Sequence, residues 1–267
     1  MKHINVGLLI CLICILLVPL VFTLWGSLLD IHGSANIPPR LGSQYSFDNY
    51  KKVFANINIR WIFNTIVLTI LGVSLSITIN LITGYGLYLD DNKRLITLIL
   101  AAVIIPRYAI VIPQFLIMRQ LGLVNTLFAC ILPLLVSPMH ILLAKKYFDQ
   151  FPISIIEAAR LDGLTRLGAL IRIILPESRQ LVITLAILKS VELWSDYLWQ
   201  YIVLMKDNKK TLLIGVLSWI QQAGGASSIQ LNPVGLTLTT SVLLLIPFII
   251  IFAVGSRYFT YQLGGSE

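Results

Sequence analysis

Long runs of hydrophobic residues, separated by short polar segments, dominate the pattern of this chain. A helix needs about 20 apolar residues to cross the hydrocarbon core of a bilayer. Six runs come near that length, at residues 5–26, 61–88, 95–118, 124–145, 181–205 and 234–256. Each must be helical, because a lone strand in lipid would leave its backbone polar groups without partners. The pattern therefore predicts an all-α integral membrane protein with six transmembrane helices.

The third and fourth runs contain prolines, and these are the least regular of the six. Pro106 and Pro113 lie in the third run with Arg107 between them, and Pro133 and Pro138 lie in the fourth. Membrane helices tolerate proline where neighbouring groups bond to the freed carbonyls. We expect both runs to cross the bilayer as kinked helices.

Composition supports a membrane location and excludes several other classes. The chain is 57% hydrophobic and 12% charged, whereas soluble domains carry about 25% charged residues. An ordinary soluble enzyme, a disordered protein and a disulfide-stapled module are therefore excluded. The net charge of +8 is spread over the polar segments rather than gathered into one stripe. This distribution indicates membrane topology and contact with lipid, and it argues against nucleic acid as a partner.

The polar segments at residues 27–60, 89–94, 119–123, 146–180 and 206–233 connect the six predicted spans. An even number of spans puts both termini on one side of the membrane. Lys and Arg cluster most sharply near 89–94 and 146–180, which favours a cytoplasmic location for these two loops and for both termini.

Sequence motifs for bond chemistry are absent. The chain has no GxxxxGK[ST] phosphate loop and no HExxH, and its three histidines are far apart in sequence. We therefore expect no catalytic residue, no metal site and no cofactor in this chain. Any active transport must draw its energy from another protein or from an ion gradient.

The segment 146–180 has the pattern of two short helices joined by a turn. Pro152 suits the first turn of a helix over Ile153–Leu161, which ends at Gly163. A second run of helical spacing over residues 164–175 is predicted to stop at Pro176. This helix–turn–helix unit is expected at the cytoplasmic membrane face.

The residues of this unit, EAARLDGLTRLGALIRIILP at 157–176, fit the pattern EAA, three residues, Gly, nine residues, Ile-x-Leu-Pro. The segment resembles the signature loop of permease subunits of ATP-binding-cassette (ABC) importers. The resemblance covers nearly the whole chain. FDNYKKVF (47–54), FNT (63–65), the stretch 105–126, WSDYLWQYIVL (194–204) and SRYF (256–259) look like the sugar-importing subfamily.

Within that subfamily the short outer loop 27–60 is similar to that of the smaller permease of maltose-type importers. Ser195 and Gln200 depart from the family pattern WNDFLWP, which has Asn and Pro there. The departure weakens an inference about the solute but leaves the family assignment intact.

The resemblance implies one transmembrane permease domain over residues 1–267 in a prokaryotic inner membrane. The chain would move a carbohydrate, or a related polyol or glycerol phosphate, by ATP-driven alternating access. The implied partners are a homologous permease in a heterodimer, two ABC ATPase subunits and an extracytoplasmic solute-binding protein. ATP and Mg would be bound by the ATPase subunits, so this chain would not be an enzyme.

The resemblance also implies that the first loop helix seats in a cleft of the ATPase and couples it to the spans. The residues implied in this coupling are Glu157, Ala158, Ala159, Arg160, Asp162 and Gly163. The alternatives are a solvated surface charge at Glu157, a simple helix cap at Gly163, and a local ion pair of Asp162 with Arg166.

The fifth span carries ionisable residues, which are costly in a bilayer and therefore mark a pathway by default. Lys189 and Glu192 are three positions apart and can pair. Aromatic residues flank Asp196, a combination suited to holding sugars. The candidate translocation path is Glu192, Trp194, Asp196, Tyr197 and Trp199. The alternative is an aromatic belt at the membrane interface.

Other polar residues of the spans have simpler interpretations. Arg107 is predicted to extend toward the interface rather than to meet an anion, and Asn64, Asn80 and Gln114 are predicted to bridge helices. The loop 206–233, with QQAGGASSIQLNP at 221–233, is predicted to be an exposed excursion. The resemblance to maltose-type importers implies that it reaches into the solute-binding protein; the alternative is an idle linker.

A rival function is a self-sufficient secondary transporter driven by an ion gradient, with Glu192 and Asp196 as proton or cation sites. Two observations argue against a secondary transporter. The sequence shows no internal repeat, which many such transporters have, and it contains the EAA loop.

Overall fold

The computed structural model describes the backbone of residues 2–30, 44–225 and 233–259. In these ranges the regular elements are helices, apart from one isolated bridge between Leu29 and Tyr45. The chain divides into two compact units. The first comprises Met1–Trp61 and Leu212–Ile250, and the second comprises Ile62–Thr211 and Ile251–Glu267. The all-helical class predicted from the sequence is confirmed for the described residues.

The α-helices, in chain order, are α1 (Lys2–Ser27), α2 (Asp48–Asn56), α3 (Ile59–Leu89), α4 (Lys93–Ile104), α5 (Val111–Gln120), α6 (Leu127–Ile131), α7 (Pro138–Phe148), α8 (Ile153–Leu161), α9 (Arg166–Ala169), α10 (Leu175–Glu177), α11 (Arg179–Ser195), α12 (Tyr197–Val203), α13 (Leu212–Gly225) and α14 (Pro233–Phe259). Short 3₁₀ turns cover Arg107–Ile110, Leu132–Leu134 and Asp207–Lys209, and a π-helical turn covers Leu170–Ile174.

Among the residues that the structure describes, two helices are each long and apolar enough to cross a membrane alone, namely Gly7–Ser27 within α1 and Ile59–Leu89. Two further candidates are bent pairs. Lys93–Ile104 meets Arg107–Gln120 at 88°, and Leu127–Leu134 meets Pro138–Phe148 at 50°. Both runs are therefore bent where prolines predicted an interruption, and the bend in the third run is sharp enough to separate two helices.

The break in the third run follows from the backbone restriction that proline imposes on itself and on its predecessor. Ile105 is extended at φ −68° and ψ 118°, and Pro106 is extended too. Ser137, which precedes Pro138, is likewise extended at φ −116° and ψ 110°. The fifth run is also interrupted, at Asp196, between α11 and α12.

Polar side chains of α3 bond to backbone groups in the segments they face. The Asn80 side chain donates to the carbonyl of Leu135 at 3.0 Å and accepts from the Ser137 amide at 3.0 Å. Asn64 donates to the carbonyls of Asn208 and Lys210. The bridging role predicted for both asparagines is confirmed, and Asn80 satisfies groups freed at the break in the fourth run.

The segment 206–233 differs from the open excursion that its composition suggested. It contains α13, whose buried Val216 and Ile220 pack with Val53, Trp61 and Leu236 in the core of the first unit. The prediction is wrong for this part because the run 212–220 is apolar enough to join a core. Residues 226–232, where the Gly- and Ser-rich motif continues, lie outside the described residues.

Two clusters of buried side chains form the core of the second unit. The first includes Leu68, Cys130, Ile131, Leu193, Trp199 and Val203. The second includes Leu81, Tyr85, Ala144, Phe148, Ile156, Ala159, Ala169, Leu170, Ile174, Leu181 and Leu185. The second cluster joins α8 and the π-turn to α3, α7 and α11, so the helix–turn–helix unit is part of this core.

Candidate functional site

The turn between α8 and α9 is closed by backbone hydrogen bonds. Gly163 donates to the carbonyl of Arg160 at 3.0 Å, and Leu164 donates to the carbonyl of Ala159 at 3.0 Å. This pattern is a Schellman motif, in which the residue after the helix takes a left-handed conformation. Gly163 has φ +85°, and a Cβ there would have no atom within 4 Å. Backbone conformation, rather than space, therefore requires glycine.

The predicted bounds of the first loop helix are confirmed, whereas those of the second are wrong. The chain continues in helical form through the π-turn and past Pro176 to Glu177. Within the π-turn the amide of Leu175 donates to the carbonyl of Leu170, five positions back. The wider turn accommodates the proline ring, so Pro176 removes one donor without ending the helical path.

The side chains of α8 divide into an exposed face and a buried face. Glu157, Ala158 and Arg160 are exposed, whereas Ile156 and Ala159 are only 3% and 4% exposed. Ala159, implied in coupling, thus contributes internal packing. Charges of both signs on a helix with a fixed position make the outer face suitable for docking onto another protein.

The far end of α8 continues this exposed face beyond the last helical turn. Leu161 is 89% exposed, and Asp162 and Gly163 are exposed as well. Among the described side chains, no ion pair joins Asp162 to Arg166. The helical i,i+4 spacing assumed for that pair does not hold, because the turn at Gly163 lies between them.

The end of α3 holds both arms of the unit by hydrogen bonds. The Tyr85 hydroxyl donates to the carbonyl of Arg166 at 3.1 Å, and the Tyr88 hydroxyl donates to the carbonyl of Phe151 at 3.0 Å. These carbonyls lie just before α8 and at the start of α9. Together with the buried cluster they fix α8 relative to α3, α7 and α11.

A second group of residues forms a charge cluster in the second unit. Arg107 Nη2 lies 2.7 Å from Asp196 Oδ2, and Arg107 Nη1 lies 3.7 Å from Glu192 Oε1. Lys189 Nζ lies 2.8 Å from Glu192 Oε2. The predicted pair of Lys189 with Glu192 is confirmed. The prediction that Arg107 extends to the interface is wrong, because its guanidinium contacts two carboxylates. One belongs to Glu192 on α11, and the other belongs to Asp196, which directly follows α11.

The aromatic residues near Asp196 have different environments. Trp199 is 2% exposed, and its indole N–H donates to the carbonyl of Ala129 at 2.8 Å within the core. Tyr197 stacks on Tyr201 with ring centroids 5.5 Å apart. The indole of Trp194 is partly buried. Trp199 therefore contributes to the packing of the core.

A cavity of about 380 Å³ lies beside the charge cluster, between the two halves of the broken third run and the break in the fourth. Its polar lining includes Arg107, Gln114, Ser137 and Glu192. Glu192 is the one residue of the predicted path that lines it. The predicted path does not include Arg107 and Gln114, which the sequence indicated as an interfacial cation and a bridge between helices. The rule that an ionisable residue inside a span marks a pathway would have found Arg107.

Among the described residues, no three His, Cys, Asp or Glu side chains group as metal ligands.

Comparison with known proteins relates the chain to transport systems. The family model described as "Binding-protein-dependent transport system inner membrane component" matches residues 53–261. A permease protein of the arabinooligosaccharides transport system of Bacillus subtilis is 30% identical over 237 residues, which cover 87% of this chain and 81% of that protein. The corresponding protein of Halalkalibacterium halodurans is 31% identical over 222 residues, 81% of this chain and 77% of that protein.

The fold is also found in a solved structure, that of a bacterial ABC transporter involved in the import of the acidic polysaccharide alginate. The TM-score is 0.78 at 24% sequence identity, and the match covers 97% of this chain and 96% of that chain.

Proposed function

Because the chain belongs to the family of binding-protein-dependent transport system inner membrane components, we propose that it is one of two permease subunits of an ABC importer for a carbohydrate. The observation that carries the proposal is α8, an exposed charged helix tied to the apolar helices through a buried cluster. The chain is a multi-pass membrane protein. It forms the path for the solute and leaves ATP hydrolysis to other subunits.

The carbohydrate class rests on the relatives. Two permeases that share about four fifths of their length with this chain are named for arabinooligosaccharides. The solute of this chain is accordingly a sugar or short oligosaccharide, with a polyol or glycerol phosphate as the related alternative.

The coupling mechanism follows from the rigidity of the helix–turn–helix unit. Two ATPase subunits bind ATP and Mg, and one of them receives α8 in a cleft, with Glu157 facing a basic residue. Closure of the ATPase dimer displaces α8. Because α8 shares a core with α3, α7 and α11, these helices move with it, and the equilibrium shifts between inward-facing and outward-facing states.

The remaining parts of the assembly follow the same scheme. A homologous permease completes a heterodimer, and an extracytoplasmic binding protein delivers the solute to the outer loops. The chain crosses a prokaryotic inner membrane six times, with both termini and α8 in the cytoplasm. The broken runs each form one crossing.

The ion-gradient alternative is disfavoured by the charge cluster. Glu192 and Asp196, its assumed ion sites, are already paired with Lys189 and Arg107.

The test is reconstitution in proteoliposomes. The complete importer, with its binding protein and internal ATP, is expected to accumulate labelled arabinobiose, and the chain alone under a proton or sodium gradient is expected not to. Accumulation by the chain alone, without ATP, would establish the secondary transporter instead.

A further inference from the structure

The cavity beside the charge cluster has the chemistry of a solute site. Its lining combines the polar side chains of Arg107, Gln114 and Glu192 with apolar side chains, among them those of Ile105 and Leu134. A sugar ring presents hydroxyls around its edge and C–H groups on its faces, so a lining of both kinds suits it. The volume of about 380 Å³ is near the lower end of the range for small-molecule sites, roughly 300 to 1,000 Å³. It suits a single ring or a disaccharide.

The polar groups supply both donors and acceptors, as vicinal hydroxyls require. A guanidinium has five N–H donors and a carboxylate has about four acceptor positions. The contacts of Arg107 and Glu192 with their ion partners use only part of this capacity. The Gln114 amide adds one acceptor and two donors. Gln114 lies on α5, after the break in the third run. In an unbroken helix it would lie far from Ile105, because the two positions are nine residues apart along the chain.

The charge of the cluster selects the class of sugar. Two cations, Arg107 and Lys189, are matched by two anions, Glu192 and Asp196. An acidic sugar would have to displace a carboxylate from Arg107 to gain a partner, and the displaced carboxylate would be left unpaired in a buried place, where Asp196 is 3% exposed. An uncharged sugar bonds to the cluster without breaking any ion pair.

We infer that this chain contacts the solute itself in this cavity, through Arg107, Gln114 and Glu192, and that the balanced cluster selects an uncharged sugar over an acidic one. The inference deepens the proposed function and rests on it. It adds Arg107 and Gln114 as solute-contacting residues and excludes Trp199 from that role.

A direct measurement of solute binding tests this site independently of the other steps of the transport cycle. The purified importer, in detergent and without the binding protein, is titrated with arabinobiose and with dimannuronate, and saturation-transfer NMR reports the Kd of each. Arabinobiose is expected to bind more tightly.

Gln114→Leu, which touches no ion pair, is expected to raise the Kd for arabinobiose about tenfold, as the loss of one or two hydrogen bonds predicts. The control Gln120→Leu changes an exposed glutamine of the same helix and should leave the Kd unchanged.

Glu192→Gln tests the charge argument. It leaves the cluster with one net positive charge, and the ratio of dimannuronate to arabinobiose affinity should rise about tenfold. An unchanged Kd in Gln114→Leu would overturn the contact, and preference of the unaltered importer for dimannuronate would overturn the charge selection. ATP-dependent uptake by the same preparation tests the proposed function separately, since uptake can fail while disaccharide binding persists.

Discussion

The Tyr85 hydroxyl donates a hydrogen bond of 3.1 Å to the backbone carbonyl of Arg166, 81 positions further along the chain. Tyr88, one turn later on α3, makes the equivalent bond to the carbonyl of Phe151. The two tyrosines thus hold the segments on either side of α8 from a single helix end. Neither bond depends on the side chain of its acceptor residue, so the contact persists whatever residue stands at 151 or 166.

Replacing both tyrosines by phenylalanine is expected to loosen the coupling between α8 and α3. Tyr85→Phe with Tyr88→Phe keeps the ring packing, including the edge contact of residue 85 with Phe148, but removes two bonds of about 1 kcal/mol each. Solute uptake per ATP hydrolysed should fall several-fold, whereas co-purification of the ATPase should persist. Tyr108→Phe, at a residue 64% exposed, is the matched control. An unchanged uptake ratio in the double variant would show that packing alone transmits the movement.

Reversing the charge of Glu157 is expected to release the ATPase. A charge that is paired and desolvated on docking costs roughly 2 to 5 kcal/mol when its partner is lost. Glu157→Lys should therefore abolish co-purification of the ATPase and solute-stimulated ATP hydrolysis, while the chain still inserts in the membrane.

Glu177→Lys provides the control for that reversal, because Glu177 is an exposed carboxylate of the same loop outside α8. It should leave co-purification normal. Equal effects of both reversals would indicate a general response to the charge of the loop rather than a specific contact at 157.

The left-handed backbone of Gly163 gives a graded prediction. A β-branched residue is strongly disfavoured at φ +85°, whereas asparagine tolerates that region. Gly163→Val should weaken ATPase co-purification and Gly163→Asn should largely preserve it. Since a Cβ has no atom within 4 Å there, equal loss in both variants would mean that the partner, and not the backbone, excludes a side chain.

The ion pair of Arg107 with Asp196 is expected to show strong non-additivity. Removing Arg107 leaves the buried Asp196 carboxylate without its counter-ion, removing Asp196 leaves Arg107 with only the longer contact to Glu192, and removing both leaves neither charge. Arg107→Leu and Asp196→Leu should each lower the melting temperature of the purified importer, and the double variant should recover much of the loss. Additive losses would contradict the pairing.

Topology is tested with single cysteines introduced after Cys11, Cys14 and Cys130 have been replaced. Cysteines at Lys51 and Lys209, both exposed positions in the predicted outer segments, should react with an impermeant maleimide added to intact cells. A cysteine at Ser154 in α8 should react after permeabilisation alone. Labelling of the Ser154 variant in intact cells would invert the proposed orientation.

The local features of the helix–turn–helix unit could be predicted from the sequence. Proline, glycine and helical spacing are short-range signals, and they predicted the bounds of α8 and its end at Gly163. The continuation past Pro176 could not be predicted in this way, because it depends on a π-turn that bonds five positions back. Proline excludes an amide donor, but it does not specify whether the preceding turn can widen.

The contact of Arg107 with Asp196 in the charge cluster could not be predicted from sequence patterns, for a different reason. Lys189 and Glu192 are close in sequence, and their pairing followed from helical spacing. Arg107 meets Asp196 only because the third run breaks by 88° and the fifth run breaks at Asp196. Prolines predict a kink in the third run, but neither they nor hydrophobicity windows give its angle, so the approach of two charges distant in sequence could not be predicted.

The Arg107–Asp196 pair also has a consequence for the order of events during biosynthesis. Asp196 emerges from the ribosome 89 residues after Arg107, so the guanidinium lacks this partner while the helices from α5 to α11 are made. On insertion scales, each ionised side chain at the bilayer centre costs about 2.5 to 3.5 kcal/mol. The third run and α11 are therefore poor candidates for independent release into lipid. They are expected to stay beside the insertion machinery until the fifth run arrives, so that Ile62–Thr211 of the second unit leave it together.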